Sequence, residues 1–175
     1  MASTQEMIRF AYAVMTRPDI VCLVPEKREE LTTEGGLDVL KHRIPIQSVV
    51  EQCKKNKIKV SLFIEPIETQ IAAAQDLGAD AVEFHTGQYS LATGPEQKRL
   101  LDVLFRAFEL AHGRKLAVHA GHGLDYQNVI PLLKGPHLEE LNIGHSIVCR
   151  AVLVGMEQAV REMKTIIMQR SSGLS

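Results

Sequence analysis

The chain has 175 residues, enough for one domain with its own hydrophobic core, and 45% hydrophobic and 23% charged residues are ordinary values for a globular protein. A formal net charge of −1 excludes binding to nucleic acid or to an anionic membrane surface through bulk positive charge. No apolar run approaches the roughly 18 residues that a membrane-spanning helix needs, and the first residues lack the basic start and apolar stretch of a secretory signal.

Short β-branched runs alternate with amphipathic helical stretches along the chain, which is typical of βαβ units around a parallel sheet. The opening stretch is predicted to be a helix, because Ser3 and Glu6 have the spacing of a capping box. Five strands follow, predicted at 20–24, 59–65, 81–86, 115–120 and 140–143. Further helices are predicted at about 37–56, 69–77, 95–112, 128–134, 146–154 and 156–170, the first of them interrupted by Pro45 and the fourth capped by Asp125 or the residues after it.

Two α/β architectures fit five such units: an open doubly wound sheet of flavodoxin type, and part of a (β/α)₈ barrel. Length favours the open sheet, because a barrel typically needs about 250 residues. The position of the polar residues favours the barrel, since ionisable side chains recur at the ends of several different strands. These residues are Glu26, Lys27, Glu65, Glu83, His85, His119, His122 and His145. We therefore predict a partial barrel, forming a single domain over residues 1–175.

Glu83 lies in the apolar strand AVEFHTG, on the same strand face as Ala81 and His85. Burial would raise the pKa of its carboxyl and suit it to proton transfer near neutral pH, while a structural ion pair is an equal alternative. His122 follows a strand between Gly121 and Gly123, which leaves its imidazole unshielded for general acid or base chemistry. The alternative is a turn histidine that hydrogen-bonds its own loop.

Gly144 and His145 join the last strand to a helix start, where free N–H groups bind anions such as phosphate. The alternative is a tight βα turn capped by Ser146. The loop 24–36 mixes charge with turn residues and could be a mobile lid or ligand loop, but composition alone favours an ordinary solvated loop. The histidines, with Glu83, could also hold zinc or manganese, although nothing in the sequence fixes a ligand geometry.

The three cysteines are odd in number, far apart and without a CxxC pair, so reduced and mostly buried thiols of a cytosolic protein are predicted.

Five stretches, in this order and spacing, together resemble the pyridoxine 5′-phosphate synthase family, over nearly the whole chain. They are LVPEKREELTTEGGLDV, VSLFIE, VEFHTGQY, AGHGLDYQNV and ELNIGHSIVCRAVLVG. The resemblance implies a (β/α)₈ barrel with extra helices, of which this chain holds strands four to eight. It also implies condensation of 1-deoxy-D-xylulose 5-phosphate with 3-amino-2-oxopropyl phosphate to pyridoxine 5′-phosphate, phosphate and water. The family needs no metal or organic cofactor, and it is a cytoplasmic homo-octamer.

By the same resemblance, Glu83 matches a catalytic carboxylate that stabilises charge and relays protons, and His122 matches the proton donor. Gly123 matches a substrate-contacting glycine. Gly144 and His145 match the pair that holds a substrate phosphate, and Thr32 matches a substrate-binding threonine in a closing loop. Acid–base groups and phosphate anchors suit a reaction built of proton transfers next to carbonyls.

The resemblance further implies three strands, carrying two of four catalytic groups, upstream of Met1. Five strands alone would leave two unpaired edges and an uncovered lumen face. A natural protein that starts upstream is therefore expected, with a degraded gene product as the alternative. We expect purified 175-residue chain to form no pyridoxine 5′-phosphate, and detectable turnover would contradict this.

Two other functions stay open at this point. One is a non-catalytic module that binds a phosphorylated ligand through Gly144 and His145, and the other is a metal-dependent barrel enzyme. Mixing the chain with a separately made N-terminal segment tests the first, and elemental analysis tests the second.

Overall fold

A computed structural model describes residues 18–25 and 35–171. Its strands are β1 (Ile20–Leu23), β2 (Lys59–Ile64), β3 (Ala81–His85), β4 (Ala117–Gly121) and β5 (Leu138–Asn142). Its helices are α1 (Arg43–Lys55), α2 (Glu68–Asp76), α3 (Gly87–Leu91), α4 (Gly94–Gly113), α5 (Val129–Leu132), α6 (His145–Val154) and α7 (Met156–Ser171). The predicted opening helix and Thr32 lie outside the described residues.

The five strands form one parallel sheet whose spatial order, β1-β2-β3-β4-β5, repeats the chain order. A doubly wound sheet instead reverses its strand order at a switch point. Sequential parallel strands with helical crossovers are the arrangement of a (β/α) barrel. The barrel prediction is therefore confirmed as a partial barrel of five βα units with extra helices. Within the described residues, β1 and β5 are the edges of the sheet.

The hydrophobic core lies between the helices and one face of the sheet. Alternate strand residues such as Leu62, Phe84 and Val118 are fully buried there. Phe84 packs against Phe108 of α4, with ring centroids 5.5 Å apart and ring planes inclined by 33°. Because successive strand residues point to opposite faces, the residues between them line the other face. Packing against the helices thus fixes which strand residues are left for chemistry.

The face turned away from the helices is concave. The thiol of Cys22 on β1 donates a hydrogen bond of 3.3 Å to the carboxylate of Glu83 on β3. In a flat sheet, residues two strands apart are separated by about 10 Å. The two side chains can meet only because the sheet curls around them, as it does in a barrel wall.

The prediction that Pro45 interrupts a helix over 37–56 is wrong. Residues 39–42 are turns, and α1 begins at Arg43, which puts Pro45 in the first helical turn. The N–H groups of that turn have no partner within the helix in any case, so a proline costs little there.

No helix within the described ranges is long and apolar enough to cross a membrane.

Candidate functional site

The carboxyl ends of β3, β4 and β5 lie side by side and carry most of the predicted site residues. His85 is in register with Gly121, and Gly121 with Asn142. His122 and Gly123 therefore leave β4 next to the end of β3, while Gly144 and His145 follow the end of neighbouring β5. The structure therefore brings all four residues to the carboxyl-terminal ends of neighbouring strands.

Glu83 reaches across the concave face from β3 to both sides. Its carboxylate accepts a hydrogen bond from the thiol of Cys22. It also lies against Gly121, where a side chain at position 121 would overlap the carboxylate. Burial raises the pKa of Glu83, although the Cys22 hydrogen bond and the charge of His119 oppose this rise. The raised pKa suits a carboxyl that exchanges protons near neutral pH.

Cys22 shows the same burial from the thiol side. Burial, followed by the charge and the hydrogen bond of Glu83, raises the pKa of this thiol to about 12. The cysteines are not mostly buried, as the sequence suggested: Cys53 is buried, Cys22 is partly covered and Cys149 is exposed.

This difference predicts selective alkylation. At pH 8 a thiol of pKa about 12 is ionised to about one part in ten thousand, and only the thiolate reacts. Iodoacetamide should therefore modify Cys149 while Cys22 stays unmodified until the chain is unfolded. Mass spectrometry of tryptic peptides measures both, and equal rates for Cys22 and Cys149 would contradict the buried environment.

His122 has a backbone conformation that few side chains adopt. Its φ is +78° and that of Gly123 is +75°, so two consecutive residues occupy the left-handed region. Thr86, directly after β3, holds this turn: its hydroxyl lies 2.8 Å from the carbonyl oxygen of Gly121 and 2.6 Å from that of His122, and its single hydrogen is shared between them. Such strain persists at functional sites where neighbours impose it. The loop glycines were recognised from the sequence, but Thr86 was not.

Replacing Thr86 by valine should therefore lower the free energy of unfolding by about 1–3 kcal/mol. Valine has nearly the same shape as threonine, but it lacks the buried hydroxyl that the two carbonyl oxygens share. Urea denaturation measures the change. Thr165→Val is the matched control, since its hydroxyl bonds a carbonyl on an exposed helix face, and its expected change is within about 0.5 kcal/mol. Equal effects of the two substitutions would contradict the role of Thr86.

Gly123 is fixed from its other side. Its carbonyl accepts a hydrogen bond of 3.1 Å from the Asn128 amide, and a side chain on Gly123 would overlap Ser90. Asn128 and Asp125 bond each other reciprocally, since the Asp125 carboxylate accepts from the Asn128 N–H and the Asn128 amide oxygen accepts from the Asp125 N–H, both at 2.8 Å. The N-cap of α5 is Asn128, one of the residues after Asp125, and no side chain caps the helix, so Asp125 holds the turn that precedes it.

His85 forms a buried ion-pair geometry that the sequence did not predict. Its Nδ1 lies 2.7 Å from Oε1 of Glu65 at the end of β2. The ring packs against Phe63, with centroids 5.2 Å apart, and against His122, with centroids 4.9 Å apart. The sequence places Glu65 and His85 at strand ends, but it does not predict that they pair, because pairing between strands depends on register and curvature.

The turn after β5 is open to solvent. A side chain at Gly144 would meet nothing within 4 Å, and His145 is exposed at the first position of α6, with its ring 3.8 Å from the Cys149 sulfur. The Ser146 hydroxyl donates to the carbonyl of Leu124 at 2.8 Å, which ties this turn to the loop after β4. Free backbone N–H groups at this helix start have room for an anion.

The described residues contain no cluster of three or more His, Cys, Asp or Glu side chains that could hold a metal ion. His119 has its Nδ1 3.8 Å from a carboxylate oxygen of Glu140, on the same face.

Comparison with known proteins gives one family over nearly the whole chain. The model of the family described as "Pyridoxal phosphate biosynthesis protein PdxJ" matches residues 1–169. A protein of Akkermansia muciniphila named pyridoxine 5′-phosphate synthase is 51% identical over 168 residues, covering 95% of this chain and 68% of that protein. One of a Synechococcus strain with the same name is 53% identical over 165 residues, covering 94% and 68%.

Solved structures with similar folds are more distant in sequence. A putative fructose-1,6-biphosphate aldolase from Coccidioides immitis has a TM-score of 0.57 at 17% identity, over 90% of this chain and 56% of that chain. A xylose isomerase domain protein from Planctomyces limnophilus has a TM-score of 0.57 at 15% identity, over 91% and 66%. At such identities the likeness concerns the fold alone, and it agrees with a barrel architecture.

Proposed function

Since the chain belongs to the PdxJ family of pyridoxal phosphate biosynthesis proteins, we propose that it carries out the ring-closing step of vitamin B6 biosynthesis. In this step 1-deoxy-D-xylulose 5-phosphate condenses with 3-amino-2-oxopropyl phosphate to pyridoxine 5′-phosphate, with release of phosphate. The chain spans about 68% of the length of the relatives compared.

One observation supports this proposal most directly. The carboxyl of Glu83, with a raised pKa, lies against Gly121, and Gly121 precedes the exposed turn of His122 in register with the strand that leads to Gly144 and His145. A proton-exchanging carboxyl, an imidazole and an anion-accepting helix start therefore border the same strand ends. Imine formation, dehydration and ring closure need such groups and no others of greater reactivity.

In the proposed mechanism, Gly144 and His145 bind a substrate phosphate, with the backbone N–H groups of α6 and the imidazole as donors. His122 gives a proton to the leaving oxygen or to the developing alkoxide. The Glu83 carboxylate stabilises positive charge as it develops during the reaction, and it accepts a proton as part of the proton relay. Gly123 lets the substrate approach the loop closely, and Thr32 contacts substrate from a loop outside the described residues.

The proposal also includes the cofactor requirement, location and assembly that the family resemblance implies. The reaction uses acid–base chemistry without a metal or organic cofactor. The enzyme is a transferase that acts in the cytoplasm as a homo-octamer. Its ligands are the two phosphorylated substrates and the phosphate product.

The test is a complementation assay. The 175-residue chain is assayed alone and after mixing with a separately made N-terminal segment of the Akkermansia relative. We call this mixture the complemented enzyme. Formation of pyridoxine 5′-phosphate by the complemented enzyme, followed by mass spectrometry, supports the proposal, whereas the chain alone is expected to form none. If neither assay gives product when both substrates are supplied, the proposal is overturned.

The same assay separates the two other functions. Binding of phosphate esters without turnover indicates a non-catalytic module. Loss of turnover after treatment with a chelator, together with stoichiometric metal by elemental analysis, indicates a metal-dependent enzyme.

A further inference from the structure

The buried pair of His85 and Glu65 fixes where the proton of the His85 ring lies. Burial pushes the pKa of Glu65 upward, but hydrogen bonds from His85 and from the Gly36 N–H, the latter 2.9 Å from the same oxygen, hold this pKa below its usual value. The carboxylate is thus ionised at neutral pH and can only accept. Nδ1 of His85, 2.7 Å away, must be the donor.

The other nitrogen of this ring is unused. His85 is 6% exposed, and its Nε2 is a buried atom without a hydrogen-bond partner among the described residues. With the proton on Nδ1 of a neutral ring, Nε2 carries a lone pair and acts as an acceptor. Buried polar atoms are almost always satisfied, so an orphaned acceptor beside a candidate site points to a partner that it takes in function.

The imidazole ring that packs against His85 is that of His122. The two ring centroids are 4.9 Å apart and the ring planes are inclined by 56°. Imidazoles joined by an N–H···N hydrogen bond have centroids about 5 Å apart, because each nitrogen lies about 1 Å from its centroid and the nitrogens about 3 Å from each other. The observed centroid separation therefore matches that of two hydrogen-bonded imidazoles, and the bond requires a rotation that turns a nitrogen of His122 toward Nε2 of His85.

Gly87 keeps the space between the two rings open. A Cβ at this position would lie 2.5 Å from Nε2 of His85 and 3.2 Å from Cδ2 of His122. Gly87 begins α3 and does not have a positive φ. The backbone conformation does not demand glycine here, but the approach of the two rings does.

We propose that Glu65, His85 and His122 form a hydrogen-bonded chain in which His85 is a positioning residue for His122. Glu65 accepts from Nδ1 of His85, and Nε2 of His85 accepts an N–H of His122, which directs the opposite nitrogen of His122 toward the substrate. The catalytic consequence rests on the proposed function, in which His122 is the proton donor, and the His122 ring gives that proton from its doubly protonated form, in which one N–H is bonded to His85 and the other faces the substrate. The hydrogen-bonded chain itself does not.

The first experiment needs no substrate. Nitrogen NMR of the full chain, labelled with ¹⁵N-histidine, reports which nitrogens of each ring carry a proton. We expect His85 to be protonated on Nδ1, with its Nε2 coupled through a hydrogen bond to an N–H of His122. A proton on Nε2 of His85 would overturn the proposal.

Two substitutions test the cause. Glu65→Leu removes the acceptor and should move the His85 proton to Nε2, whereas Glu109→Leu, which removes the carboxylate paired with His137 at 3.1 Å on the surface, should leave the His85 signals unchanged. Gly87→Ala should abolish the coupling between the two rings while the other histidine signals keep their positions. If Gly87→Ala leaves the coupling intact, the two rings do not meet over Gly87, and the proposal fails.

Turnover of the complemented enzyme gives the functional readout. His85→Gln keeps an acceptor near the position of Nε2, and His85→Asn keeps a donor only near Nδ1. We expect a roughly hundredfold fall in kcat for His85→Asn, a misplacement effect, and recovery to within about tenfold of wild type for His85→Gln. Equal losses in both variants would overturn the positioning role. Absence of product in the wild type would instead overturn the proposed function, with the NMR result standing by itself.

Discussion

Glu83→Gln should reduce the turnover of the complemented enzyme by about 10²–10⁴-fold, the usual contribution of a positioned acid–base group. Glutamine keeps the shape and can still accept the Cys22 hydrogen bond, but it cannot carry a proton to or from substrate. The affinity for substrate should change much less than kcat, because the phosphate site that we propose lies elsewhere, at Gly144 and His145. Steady-state kinetics measure both.

The same substitution should not destabilise the fold. Because burial raises the pKa of Glu83, the folded state holds this proton at higher pH than the unfolded state does. The contribution of Glu83 to stability therefore falls as pH rises through the interval between the two pKa values. Glutamine removes this term, so the free energy of unfolding at pH 7 should equal or exceed that of the wild type, as active-site replacements often do.

Glu139→Gln is the control, since Glu139 is an exposed carboxylate on strand β5. Its turnover should stay within about twofold of wild type, as for most surface substitutions. A Glu83→Gln variant that is inactive and also strongly destabilised would indicate a structural ion pair rather than a catalytic carboxyl. Full activity of Glu83→Gln would remove Glu83 from the mechanism.

Phe84→Ala should lower the free energy of unfolding by about 3–5 kcal/mol, because it leaves a cavity that the sheet and α4 cannot close. Phe84 and Phe108 are both 0% exposed and their rings lie 5.5 Å apart. Since folded domains are stable by only about 5–15 kcal/mol, this loss is a large share of the total. The urea midpoint, with the slope of the transition, measures it.

Leu91→Ala serves as the comparison, because Leu91 ends the short helix α3 with 84% of its surface exposed. Its expected change is within about 0.5 kcal/mol. A change of similar size for Phe84 and Leu91 would mean that the space between the sheet and α4 is not the core of the fold.

Prediction from sequence worked best where local pattern and long-range packing agree. The five strands were placed to within about two residues at each end, since β-branched runs bounded by turn residues fit few other structures. Alternation along β3 put Glu83 and His85 on one face, and the structure places both there. The sequence also placed the start of α5 just after Asp125, because the hydrogen bonds that hold this turn are local, although the N-cap is Asn128.

Prediction from sequence failed where the start of a helix was uncertain, and where the burial of a side chain depends on distant parts of the chain. The sequence predicts that Pro45 interrupts a helix, because the pattern does not show that α1 begins only at Arg43. The helix α3 (Gly87–Leu91) has five residues and too little periodicity to be detected. Exposure of Cys149 depends on what covers α6, which no local sequence shows.

The order of strands along the chain, the alternation of their faces and the residue types at their ends were determined by the sequence itself, because the side-chain period and the hydrophobic pattern are local properties. Tertiary structure alone decided which of those residues meet. Curvature brings Cys22 to Glu83, register brings Glu65 to His85, and Thr86 imposes the left-handed turn at His122. Each of these contacts joins separate strands, and its geometry is set by the packing of the whole sheet against its helices.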